Sequence, residues 1–126
     1  MYNPIEFNDL VGETLTHIDI DPENNEILLT TKSDKKIIIK HDQNCCESVK
    51  LVYYSPNWKK LIGKVIVDTS ENAVSSMNGY DSRTDTDLTF SVDDATVITK
   101  WVGESNGYYS ETVDIHDITE YFQKSS

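Results

Sequence analysis

The stretch LTHIDIDPENNEILLTTKSDKKIIIKH, Leu15–His41, decides the fold class. Leu15, Ile18 and Ile20 alternate, imperfectly, with polar residues, so Thr14 to Asp21 reads as a strand. Pro22-Glu23-Asn24-Asn25 is turn chemistry. Glu26 to Lys32 is a second strand, Ser33-Asp34-Lys35 a second turn, and Lys36 to His41 a third strand rich in β-branched residues. After a loop at Asp42 to Asn44, Cys46 to Tyr54 reads as a fourth strand. Such short connections predict an antiparallel meander.

Working outward, Ser55 and Pro56 suit a helix start, Trp58, Leu61 and Ile62 share one face, and Gly63 stops it. Phe7 to Val11, before Gly12, reads as a shorter counterpart. Lys64 to Asp68 starts the second half as a strand. Ser70 to Asp87 reads as a long irregular loop. Strands follow at Leu88 to Val92 and Ala95 to Val102, then a hairpin-type turn at Ser105-Asn106-Gly107 and a last strand from Tyr108 to Ile115. The prediction is a strand-dominated α+β domain, with antiparallel sheets of about seven to eight strands and one or two short helices.

Two pairs of segments echo each other. Leu10-Val11-Gly12 and Leu61-Ile62-Gly63 each open a strand-like run. Ile38 to Val49 and Ile98 to Glu111 then align Lys40 with Lys100, Asn44 with Asn106, Cys46 with Tyr108 and Ser48 with Ser110. One domain over residues 1–126 is expected, built from pseudo-repeats at about 10–54 and 61–115 related by an approximate two-fold.

The chain of 126 residues has 37% hydrophobic and 26% charged residues, enough for a globular core. No apolar run could span a membrane, and the N-terminus lacks the pattern of a signal peptide. Adjacent Cys45 and Cys46 without such a signal suit a reducing compartment, so a cytoplasmic location is expected. The net charge is −11, and most of it lies in the second half. A field of that sign repels phosphate backbones and disfavours direct nucleic-acid binding. It suits solubility as a solvated acidic face, the commoner case, or docking onto a basic protein surface through Asp81, Asp85, Asp87, Asp93 and Asp94.

His41, Cys45, Cys46 and Glu47 form one cluster of metal-ligand residue types, and a metal-binding protein or enzyme at His41, Cys45 and Cys46 is the lesser alternative; their spacing supplies no complete ligand set, and no metal or cofactor is predicted. A ligand-binding patch is the alternative. His41, Asn44, Glu47 and Asn106 would supply polar contacts, and Trp101, Tyr108 and Tyr109 displayed aromatic faces. Glu104 and Glu111 straddle the expected turn, within reach of each other as exposed hairpin glutamates. No phosphate loop, zinc-protease helix or dinucleotide fingerprint occurs, so the chain reads as a binding protein rather than an enzyme.

At His41 to Glu47, a His-x-Gln-x-Cys-Cys-Glu segment, and at Trp101 to Glu111, a Trp-x-Gly-Glu-Ser-Asn-Gly-Tyr-Tyr-Ser-Glu segment, the chain resembles a family of small uncharacterised proteins of bacterial viruses and prophages. The resemblance covers roughly Leu10 to Ile115. It implies a viral or prophage origin and, by analogy, a counter-defence role such as an anti-CRISPR inhibitor of a nucleic-acid-binding host protein.

Overall fold

The structure, a computed structural model, describes residues 3–41, 47–106 and 111–120. Among the described residues nine strands, more than the seven to eight expected, run in chain order: β1 (Asn3–Pro4), β2 (Leu15–Asp21), β3 (Glu26–Thr31), β4 (Lys36–Lys40), β5 (Ser48–Tyr54), β6 (Asp68–Asn78), β7 (Asp81–Val92), β8 (Ala95–Ser105) and β9 (Asp114–Asp117). They form two antiparallel sheets, ordered β1-β9-β4-β3-β2 and β5-β8-β7-β6. Alternate residues of each sheet point inward and meet in one apolar core. Ile27, Leu29, Ile37 and Ile39 come from the first sheet, and Leu51, Leu88, Phe90, Val97 and Trp101 from the second.

Strands β2–β5 and β6–β9 follow one plan. Three strands make a meander, and the fourth crosses to the opposite sheet to pair with the third strand of the other half. Thus β5 lies beside β8, and β9 beside β4. The expected single meander through β5 and the expected β8–β9 hairpin are therefore replaced by crossings between sheets.

The two Leu-x-Gly segments end equivalent 3-10 turns, at Phe7–Leu10 and Trp58–Leu61. Val11 (φ −63°, ψ 130°) and Ile62 (φ −71°, ψ 128°) then extend the chain, and Gly12 (φ 93°) and Gly63 (φ 83°) turn it through the left-handed region that favours glycine. The helix expected from Ser55 to Gly63 is only this single turn. Ser55 caps no helix; its hydroxyl accepts the Ile98 N–H at 2.9 Å and ties the chain to β8. Outside Thr119–Glu120, the helical residues among those described lie in these two turns, so the fold is a two-sheet β architecture rather than α+β.

The expected loop from Ser70 to Asp87 is a hairpin: β6 and β7 pair without a break from Asp68↔Ser91 to Asn78↔Asp81. Strand β6 lies at a sheet edge and is exposed on both faces from Ser70 to Met77, so it lacks the apolar alternation that marks a strand in sequence. Residues 64–67, expected to open the second half as a strand, instead form the bridge Thr14↔Val65 before β6 begins. No helix among the described residues is long and apolar enough to cross a membrane.

Candidate functional site

The ends of β4 and β8 and the starts of β5, β7 and β9 converge at one end of the sandwich. Lys40 faces Asp114 across β4–β9, Ser48 faces Glu104 across β5–β8, and Ser82 faces Ser105 across β7–β8. Among the described residues two carboxylates are buried there, Glu47 at 3% and Glu111 at 7% exposure.

Glu111 sits on the inner face of the second sheet. Its Oε1 accepts the hydroxyls of Thr84 at 2.8 Å and Ser82 at 3.0 Å, and its Oε2 accepts that of Ser105. Burial pushes the carboxyl up, but the bonds from Ser105, Thr84 and Ser82 outweigh it and hold Glu111 below the ordinary value of 4.5. It is held as an anion, which suits structure better than proton donation. Gly103 makes the approach possible: a Cβ there would lie 2.2 Å from the Glu111 carbonyl oxygen and 2.7 Å from its Cβ.

His41 follows β4 with its side chain 5% exposed. Nδ1 lies 2.8 Å from the Thr112 carbonyl oxygen, which only accepts, so Nδ1 carries a proton. Nε2 lies 3.3 Å from Oε2 of Glu47, whose side chain is fully buried, and Asp114 Oδ2 is 3.8 Å from Nδ1. His41 thereby links the end of β4 to the segment leading into β9. A hollow of about 380 Å³ beside it is lined by Asn24, Asn25, Glu26, Lys40, His41 and Val49. A second, of about 440 Å³, is lined by Glu47, Ser48, Lys50, Asp81, Glu104 and Ser105.

Of the ligand patch read from sequence, the structure gathers His41, Glu47, Glu104 and Glu111 at this end of the fold. Asn106 follows Ser105 there and is exposed. Asn44, Cys45, Cys46, Tyr108 and Tyr109 lie outside the described residues. Two expectations are corrected. Trp101 is not displayed: it is 1% exposed on the inner face of β8, with Nε1 donating to Thr99 Oγ1 at 2.9 Å. Glu104 and Glu111 are not a pair of exposed hairpin glutamates, because Glu104 points outward from β8 while Glu111 is enclosed. Among the described residues, no group of three or more His, Cys, Asp or Glu side chains is placed to hold a metal ion.

The acidic residues divide into two places. Asp81, Asp85 and Asp87 share the outward face of β7. Asp85 pairs with Arg83 at 2.9 Å, and Asp87 with Lys100 at 3.4 Å. Asp93 and Asp94 form the β7–β8 turn, six residues and about 20 Å beyond Asp87. Asp94 pairs with Lys64, and that bond holds its carboxyl below the ordinary value.

Sequence reading passed over Ser82, Thr84 and Ser105. A signal was present: from Asp81 to Asp87, charged residues alternate with Ser82, Thr84 and Thr86, a period-two pattern with hydroxyls on the inner face.

A family model matches residues 8–115, which is most of the chain and both halves of the sandwich. The chain belongs to the DUF7448 family, a domain of unknown function. No curated protein and no solved structure matches it. The DUF7448 match begins in the first 3-10 turn and ends in β9, so it contains both Leu-x-Gly turns and both buried glutamates.

Proposed function

We propose that the chain is an interaction protein of viral or prophage origin, a counter-defence inhibitor that occupies the basic nucleic-acid channel of a host defence protein in the bacterial cytoplasm. The observation that carries this reading is the row of Asp81, Asp85 and Asp87 on one face of a twelve-residue strand. A strand holds outward side chains about 7 Å apart with little freedom, so carboxylates there face a partner already ordered. The net charge of −11 supplies steering toward a basic surface. The ion pairs of Asp85 and Asp87 do not oppose this. Exposed pairs are worth about 0–1 kcal/mol, so cations on a partner can replace Arg83 and Lys100.

The ligand-binding alternative keeps His41 beside a polar hollow but loses Trp101 as a stacking face.

The test is affinity capture from bacterial cytoplasm, followed by kinetics on the captured protein. Association should slow at high salt, and nucleic acid should compete for the same site. Changing Asp81, Asp85 and Asp87 together to Asn should slow association by about tenfold at low salt, within the range electrostatic steering contributes, and leave melting unchanged. A triple variant that binds like the parent at low and high salt alike would remove the acidic-mimic reading.

A further inference from the structure

Phe7 and Trp58 hold equivalent places, each at the start of its 3-10 turn, but they fill the core unequally. Phe7 is 4% exposed, and its ring meets Phe90 edge to face with centroids 4.9 Å apart. Trp58 is only half-buried. Below it lies a slot between the sheets, lined by Ile18 and Ile20 of β2, Leu29 of β3, Phe90 of β7, Val97 of β8 and Leu61. Thr99 also borders it, and its hydroxyl oxygen already accepts the Trp101 Nε1–H. The space is about 10 Å³, the room of a single water. A buried water needs about two to four polar partners, and this lining does not supply them.

The mouth of the slot is basic. Residues 48–67 contain Lys50, Lys59, Lys60 and Lys64 and no carboxylate, although the chain has 22 acidic residues. Lys64 pairs with Asp94, whose carboxylate also feels Lys60. Lys59 is exposed, has no ion pair among the described residues, and holds Nζ 5.5 Å from the centroid of the Trp58 ring. Asp19, between Ile18 and Ile20 on β2, points to the opposite face. An unpaired cation therefore stands where the apolar slot meets water. Exposed charges are screened over about 8 Å at physiological ionic strength, so Lys59 rather than the net charge of −11 sets the field at the mouth.

We propose that the slot is a binding site for a single alkyl chain with an anionic head. Trp58 swings outward to admit the tail and then covers it, and Lys59 holds the head at the mouth. Trp58 has this freedom because its ring is half-buried, whereas Trp101 is enclosed and tied through its Nε1–H and Phe7 is packed on Phe90. The ligand class follows from the lining. A polar tail would find no free hydrogen-bond partner among these side chains, and burying it would be costly. The cation at the mouth selects an anionic head over a neutral or cationic one. The proposal does not rest on the acidic face of β7, which is the outward face of its sheet.

Decanoate is the probe, followed by calorimetry and by methyl NMR on the full chain at physiological salt. Binding should be one to one with a Kd of about 1–100 μM, and the methyls of Ile18, Ile20, Leu29 and Val97 should shift. Decanol, with the same tail, and decyltrimethylammonium should each bind at least about tenfold more weakly. Lys59→Gln should bring decanoate down to the level of decanol and leave decanol unchanged. Ile20→Phe, at a half-buried position, fills the slot and should weaken all three at least about tenfold. Thermal melting checks that it folds, and Ile18→Phe takes its place if it does not. Absence of the methyl shifts at about 1 mM decanoate would overturn the proposal. So would equal binding of the three probes, which is adsorption without a head site. Attachment to anionic vesicles with no decanoate-induced shifts in the slot would also overturn it, placing the lysines at a membrane surface instead.

Discussion

Gly12 donates its backbone N–H to the Ile66 carbonyl at 2.8 Å, and Gly63 returns the arrangement by donating to Leu15 at 2.7 Å. Leu10, Gly12 and Leu15 precede Leu61, Gly63 and Ile66 by the same offset of 51 residues, so each bond is the image of the other. Thr14 and Val65 stand at that offset too, and they bridge to each other, which places the approximate two-fold axis at their contact. Around it, Leu10, Leu61, Leu15 and Ile66 are all buried. The two halves are thus joined at the residues that begin each of them.

Gly12→Ala and Gly63→Ala should each cost about 1–2 kcal/mol, because alanine disfavours these positive φ angles. Space is not the obstacle, since an added Cβ meets nothing within 4 Å at either position. Urea denaturation measures both, and the losses should agree to within about 0.5 kcal/mol. Strongly unequal losses would show that the two-fold is geometric without being energetic.

Gly103→Ala should be more damaging than either. Its Cβ would overlap backbone atoms of Glu111, which cannot swing away as a flexible side chain could. A loss above about 2 kcal/mol is expected, with the segment at Glu111 displaced from β8. Denaturation gives the loss, and faster amide exchange at Ser105 relative to Val97 would locate it. A variant as stable as the parent would mean the strand and segment separate at little cost.

Glu111 sets an acid limit on stability. Its folded carboxyl titrates below the ordinary value of 4.5. A depressed carboxyl contributes stability above its unfolded pKa and loses it as pH falls through the folded value. Stability should therefore decline as the pH drops below about 4.5, and Glu111→Gln should flatten that decline while lowering stability at pH 7. Melting curves between pH 7 and pH 3 decide it: parallel declines in parent and variant would assign the acid sensitivity elsewhere. Asp21 and Asp94, also held below their ordinary values, act in the same direction but are exposed and screened.

The Trp101–Thr99 bond should show as a coupling energy. Thr99→Val removes the acceptor and leaves a buried indole N–H without it, a loss of about 1–3 kcal/mol. In Trp101→Phe the same threonine change should cost less. A double-mutant cycle with no coupling would show that the bond adds nothing beyond packing.

How much of this was legible varies by residue. The Leu-x-Gly echo was readable because a left-handed turn needs glycine wherever it occurs. Strands β2, β3 and β4 were readable because they carry β-branched residues between turn signals. β6 was not, since an edge exposed on both faces from Ser70 to Met77 needs no hydrophobic pattern. Trp101 read as displayed because Ile98 and Val102, on the outward face of β8, blur the inward alternation of Val97, Thr99 and Trp101.

By itself, then, the sequence determined a strand-rich domain with two matched openings and an acidic second half. These follow from local propensity, glycine placement and counted charge, which depend only on neighbours in the chain. Tertiary structure alone decided that the fourth strand of each half crosses to the other sheet. It also decided that Glu111 is enclosed by Ser82, Thr84 and Ser105, residues up to 29 positions away. Such choices rest on which distant groups can satisfy a buried carboxylate and where Gly103 leaves room for a backbone, and no local pattern encodes either.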